Sequence, residues 1–162
     1  MAPESSVVEV TLESDLKNVE VAEEITLRVA NTAGFGEDDQ NRIEMAVHES
    51  MINAIWHGNK NDSSKNVWLR FQIYCDRLEI RIRDQGNGFD PQHIPNPLES
   101  ENLLNVSGRG IFLIRSFMDE FRVEHVNGMG TEVTMVKRLN SGIQPKPEGG
   151  VDREHESHNT SS

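Results

Sequence analysis

A carboxylate and a carboxamide stand four residues apart in this chain, Glu49 and Asn53, inside the stretch MAVHESMINAIWHGN that runs from Met45 to Asn59. On an α-helix, at about 100° per residue, side chains at that spacing lie about 40° apart on one face. Glu49 is a group able to take a proton from an attacking hydroxyl. Asn53 offers a neutral oxygen suited to Mg²⁺ whose remaining ligands are water and phosphate. Two more polar residues fall where strand faces should be apolar: Asp84 continues the row Leu78, Ile80, Ile82, and Thr131 opens the row Val133, Met135. A carboxylate in such a row is costly unless something hydrogen-bonds to it, and the exocyclic amine of adenine is a natural partner. Glycines accompany each group. Gly86 and Gly88 follow Asp84, Gly128 and Gly130 precede Thr131, and Ser107-Gly108-Arg109-Gly110 leads into a helical pattern. Glycine allows close backbone approach, and a helix N-terminus presents free N–H groups to phosphate.

Each of these features is commonplace by itself; their order and spacing together point to a nucleotide site. The elements that must position them are legible from periodicity. Val7 to Leu12 alternates as a strand. Ser14 and Asp15 are suited to cap a helix running toward Ala33, with Leu16, Val19, Ala22, Ile25 and Val29 at helical spacing. Gly34 and Gly36 interrupt it, and Glu37, Asp38 and Asp39 place negative charge where the next helix begins. That helix is predicted to reach Trp56 or His57. Its stripe of Ile43, Ala46, Val47, Ser50, Met51 and Ala54 faces inward, Glu49 and Asn53 lie on the stripe's border, and Gly58 is suited to a left-handed cap. Val67 to Ile73 and Leu78 to Ile82 alternate around a turn at Cys75-Asp76-Arg77, which predicts a β-hairpin. The polar, proline-bearing segment that follows, up to about Val106, is too long for a simple connector and reads as a lid or binding loop. An amphipathic helix carrying Ile111, Ile114, Phe117 and Met118 and two closing strands complete a folded domain over residues 1–140. From about Ser141 the composition turns to Gly, Pro, Ser and charge without periodicity, and reads as a disordered polar tail.

The chain has 162 residues, enough to bury the core of one domain. Its net charge of -11, from 16 basic and 27 acidic residues, disfavours the nucleic-acid backbone as a direct partner, because counterion release needs clustered Lys and Arg. Basic surfaces of partner proteins are attracted instead. Cys75, without a second cysteine to pair with, points to a reducing compartment. No apolar run is long enough to span a bilayer, and the N-terminus lacks a signal pattern. The expectation is a soluble, cytoplasmic protein with no membrane contact.

The ordered set resembles the GHKL ATPase superfamily, over roughly Val7 to Leu139. Glu49 to Asn53 with His57-Gly58-Asn59 matches its N-box, and Asp84-Gln85-Gly86-Asn87-Gly88 its first glycine box. Gly108-Arg109-Gly110 matches the second and Gly128-Met129-Gly130-Thr131 the last. The stretches ESMINAIWHGN and SGRGIFLIRSFMD are most similar to the bacterial anti-sigma-factor serine/threonine kinases. The expected fold is a two-layer α/β sandwich, a mixed, mainly antiparallel sheet with helices on one face. The resemblance implies ATP and Mg²⁺, with Asn53 as metal ligand and Glu49 as general base. It implies nucleotide contacts from His57, Asp84, Gly86, Gly88, Ser107, Gly108, Arg109, Gly110 and Thr131, with Asp84 and Thr131 on adenine and the second glycine box on phosphates. The implied substrate is a serine or threonine of a STAS-domain anti-anti-sigma protein, and the implied second partner is a sigma factor, held by a homodimer. Some family members carry a basic residue just before the Ser-Gly of the second box, where this chain has Val106; Arg109 stands inside the box instead. The alternative is a non-catalytic module in which nucleotide is a structural ligand and partner sequestration is the whole function. Glu49 is the residue on which the two readings part.

Overall fold

A computed structural model describes residues 5–86, 106–126 and 130–140. The alternating segments become five strands: β1 (Ser6–Glu13), β2 (Asn66–Ile73), β3 (Arg77–Arg83), β4 (Glu120–Val126) and β5 (Gly130–Arg138). They form one sheet in the order β1-β2-β3-β5-β4. Every pairing is antiparallel, the limiting case of the mainly antiparallel sheet expected. Helices α1 (Asn18–Ala33), α2 (Glu37–Ile52) and α3 (Val106–Phe117) make the second layer.

Period two decides which face they cover. Leu69 and Phe71 of β2, Ile80 and Ile82 of β3, and Val133 and Met135 of β5 are buried in one cluster with Val19 and Ala22 of α1 and Ile43, Val47 and Met51 of α2. The alternate residues point away from the helices, where Arg70 pairs with Glu9 of β1 at 3.6 Å and Arg81 with Glu79 of its own strand at 2.8 Å. The core stripe of α2 is buried as predicted, and its polar member Ser50 donates to Met135 Sδ at 3.3 Å. On the other flank of α2, His48 meets Glu23 of α1.

The β3–β5 pairing joins two local hairpins and carries the polar residues to one place. Its register sets Arg83 opposite Glu132, and the Asp84 N–H extends it by donating to the Thr131 carbonyl at 3.0 Å. Asp84 and Thr131, far apart in sequence, are thereby neighbours at one end of the inner face.

Local departures from the expected pattern cluster near that end. The first helix begins at Asn18, and no side chain caps it. Asp15 accepts the Lys17 N–H at 3.0 Å in a preceding turn, while Ser14 is buried and donates to the Lys65 carbonyl at 2.8 Å. Regular α-helix in α2 stops at Ile52 and continues as a π-helical segment, Asn53–Gly58, whose widened turn shows in the 2.8 Å bond from Asn59 N–H to the Ala54 carbonyl. Gly58 is not the left-handed cap predicted; the left-handed residues after this segment are Lys60 and Asn61, at φ 52° and 56°. The second glycine box is helical rather than a turn before the helix, since α3 already starts at Val106. Gly88 with the predicted lid, Gly128, and the tail from residue 141 lie outside the described residues. No described helix is long and apolar enough to cross a membrane.

Candidate nucleotide site

Asp84 is 3% exposed. Its Oδ1 accepts two backbone N–H groups, from Gly86 at 2.9 Å and Thr131 at 3.2 Å. Three glycines enclose it. A Cβ on Gly58 would collide with the Asp84 carboxylate, one on Gly86 with the Gly58 carbonyl, and one on Gly130 with the Asp84 carbonyl. Gly130 also holds φ at 100°, which L side chains rarely adopt. The glycine boxes thus let three stretches of backbone close around one carboxylate. Burial pushes that carboxyl above its usual range, against the opposing pull of the Gly86 and Thr131 N–H bonds. Beside it, Thr131 Oγ1 is buried with no hydrogen-bond partner. A carboxylate and a hydroxyl side by side form an acceptor next to a group that can donate, which matches the amine and ring-nitrogen edge of adenine.

The second part of the wall is the border of α2. Asn53, at the start of the π-helical segment, is 3% exposed, and its Oδ1 is a buried acceptor without a partner. Buried polar atoms are ordinarily satisfied, so this orphaned oxygen fits a ligand such as Mg²⁺. Glu49 lies one turn earlier on the same border. α3 closes on both residues at Gly110, where a Cβ would stand 2.8 Å from Glu49 Oε2 and 3.5 Å from Asn53 Nδ2. The helix approaches so closely because this position has no side chain. Burial lowers the pKa of His57, in the same π-helical segment, below its ordinary value, and its Nε2 is another buried atom without a partner. Such π-turns are frequent at functional sites. This one brings Asn53, Ala54 and Ile55 inward in succession, all three buried.

A family model described as the histidine kinase-like ATPase domain matches residues 12–137. The chain belongs to the histidine kinase-like ATPase family. It is 34% identical over 118 residues to the serine-protein kinase RsbW of Bacillus subtilis, across 69% of this chain and 72% of that protein. Against the RsbW serine-protein kinase of Bacillus licheniformis the identity is 36%, with the same shares covered. Among solved structures, the fold is similar to that in the crystal structure of the RsbU and RsbW domains of a Mycobacterium tuberculosis protein. The TM-score is 0.60 at 19% identity, covering 83% of this chain and 32% of that one.

In this histidine kinase-like ATPase the structure gathers the predicted residues in two groups. Asp84, Gly86 and Thr131 stand together, and Glu49, Asn53 and Gly110 stand together. Arg109 is exposed in the first turn of α3. Ser107 and Gly108 share that turn, and the Ser107 side chain lies outside what is described. Among the described residues no three His, Cys, Asp or Glu side chains gather as a metal cluster; Mg²⁺ bound through one side chain, water and phosphates requires none. Asn59 and Gln85, expected only as members of the family motifs, and Ser14, expected only as a helix cap, are joined by hydrogen bonds behind Asp84. His125 is expected from the sequence only as a strand residue. It lies opposite Thr131 in the β4–β5 register, and its place in the row Phe121, Val123, His125 was the available signal.

Proposed function

We propose that this ATPase is a protein serine/threonine kinase. It transfers the γ-phosphate of ATP to a hydroxyl of a STAS-domain anti-anti-sigma protein, and it restrains a sigma factor as a cytoplasmic homodimer. The observation that carries the chemistry is two buried polar atoms in want of a partner, Asn53 Oδ1 one helical turn from Glu49 and Thr131 Oγ1 beside the buried Asp84 carboxylate. The partner classes rest on the likeness to anti-sigma-factor kinases and to the RsbW serine-protein kinases.

Asp84 would accept the adenine amine and the Thr131 hydroxyl would pair with the adjacent ring nitrogen, so these two residues would read the base as adenine. Asn53 supplies the side-chain oxygen for Mg²⁺, which when bound offsets the charge of the phosphates. Glu49 orients the substrate hydroxyl and accepts its proton as that oxygen attacks the γ-phosphorus; the bond to the bridging oxygen breaks and ADP leaves. The close fit of Gly110 against Glu49 keeps the carboxylate in a narrow space beside Asn53.

The test combines calorimetric ATP binding with transfer of labelled phosphate to the STAS partner. Asn53→Ala is expected to lose the Mg²⁺-dependent part of ATP binding. Glu49→Ala is expected to keep nucleotide binding and lose transfer by at least about 100-fold. Wild-type protein that binds Mg²⁺–ATP but transfers no phosphate would overturn the kinase reading.

A further inference from the structure

We propose that Asn59 is a positioning residue that sets the preference for adenine over guanine nucleotides by holding the backbone that carries Asp84. The inference rests on the adenine reading of Asp84 and Thr131 and extends it to a residue with no part in nucleotide contact.

Asn59 is fully buried, at 0% exposure. Both ends of its carboxamide are used. Nδ2 donates to Ser14 Oγ at 2.6 Å and to the Asn66 carbonyl at 3.0 Å, and Oδ1 accepts the Gln85 N–H at 2.7 Å. These bonds reach the residue after β1, the first residue of β2 and the residue after Asp84. The far ends are themselves held: Ser14 donates to the Lys65 carbonyl at 2.8 Å, and the Gln85 side chain accepts the Asn66 N–H at 2.7 Å. The Gln85 N–H belongs to the peptide unit whose carbonyl is that of Asp84. One amide therefore clamps the Asp84–Gln85 peptide, while the Thr131 backbone holds Asp84 from the opposite side. Gly58, the preceding residue, packs against the Asp84 carboxylate itself. An asparagine that only fastened β1 to β2 would need no bond to Gln85.

The consequence is specificity. At the position where adenine carries an amine, guanine carries a carbonyl oxygen. A fixed carboxylate accepts from the first and repels the second, and a mismatched base leaves buried polar groups unpaired. The discrimination lasts only while Asp84 cannot swing aside. With the clamp released, the carboxylate loses its hold on adenine and its aversion to guanine together.

The experiment measures Mg²⁺–ATP and Mg²⁺–GTP dissociation constants by titration calorimetry for wild type, Asn59→Ala and Ser14→Ala, with a melting curve for each. For Asn59→Ala, ATP affinity is expected to fall by about tenfold or more, the scale of loss that small misplacements cause. GTP affinity should change far less, so the ATP/GTP ratio collapses. Ser14→Ala removes one support of Asn59 and spares the Gln85 bond; its ratio should fall in the same direction by roughly threefold, in line with the loss of one modest hydrogen bond. This milder variant decides the matter should Asn59→Ala not fold. A purely scaffolding asparagine would lower the melting temperature and leave the ratio at its wild-type value, and that result overturns the proposal. Failure of the underlying adenine reading is visible separately, as wild type that binds ATP and GTP alike or as Asp84→Asn that retains the preference.

Discussion

At Asp84, stability and function oppose each other. Burial raises its carboxyl above the ordinary value of 3.8, so the folded chain holds that proton more tightly than the unfolded chain does. The contribution of this group to stability is therefore fully present below the ordinary value and is lost as pH rises through the raised one. Above the raised value the ionised, buried carboxylate is a burden that an adenine amine relieves. Asp84→Asn keeps an acceptor for the Gly86 and Thr131 N–H groups and removes the charge. It is expected to melt at a higher temperature than wild type at pH 7, with the difference shrinking as pH is lowered toward 4. Its ATP affinity should fall by about tenfold or more, the usual scale for a hydrogen bond to a charged group. Thermal melts across that pH range, paired with calorimetry, check both signs. Asp84 and Thr131 were legible in the sequence because a polar residue in an apolar period-two row is conspicuous. Asn59 was not, because its partners Ser14 and Gln85 lie 45 and 26 residues away and no periodicity connects them.

The close crossing of α3 over α2 is the decisive arrangement among the elements. Gly110 sits where any side chain would meet Glu49 Oε2, and that oxygen is the far end of a flexible side chain, able to move. Gly110→Ala is accordingly expected to fold, and the better helix propensity of alanine, about 1 kcal/mol in a helix interior, offsets the crowding. The carboxylate should be displaced, so phosphate transfer falls by about tenfold or more while Mg²⁺–ATP binding persists. A variant that transfers at the wild-type rate would show that Glu49 tolerates the shift. The hairpins and helices themselves follow from residue periodicity. The π-helical end of α2 does not, because its residue types also suit an ordinary helix; the widened turn shows only in the folded chain, in the Asn59 to Ala54 bond and the burial of three successive residues. The start of α1 at Asn18, later than residue types suggest, has a related reason. Ser14 is a good cap by type, yet the carboxamide of Asn59 and the carbonyl of Lys65 claim its hydroxyl.

Over the whole molecule, charge is divided by layer. α1 and α2 carry eight acidic side chains against Arg28 and Arg42, whereas the five strands carry six acidic against seven basic. The sign of the net charge was plain from composition, but its concentration on the helical hairpin depends on packing. Long-range attraction of a basic partner is directed there rather than at the sheet. The proposed nucleotide site lies where sheet and helices meet, so binding there should stabilise the entire domain. At a hundredfold excess over its dissociation constant, Mg²⁺–ATP contributes about 2.7 kcal/mol, a rise in melting temperature of roughly 5–10 °C for a domain of this size. Scanning calorimetry with Mg²⁺–ATP and with ATP plus chelator checks it, and Asn53→Ala should lose the Mg²⁺-dependent part.

The β3–β5 pairing also governs the order of events in folding. β2 with β3 and β4 with β5 are neighbours along the chain and form early at small entropic cost, whereas docking one hairpin on the other must close a long loop. Asp84 and Thr131 lie at that join, so an adenine held between them acts on a contact made late, after the barrier. Nucleotide should then leave the refolding rate nearly unchanged and slow unfolding. In stopped-flow chevrons only the unfolding arm would move, and ATP would serve this kinase as a kinetic lock on its own tertiary structure.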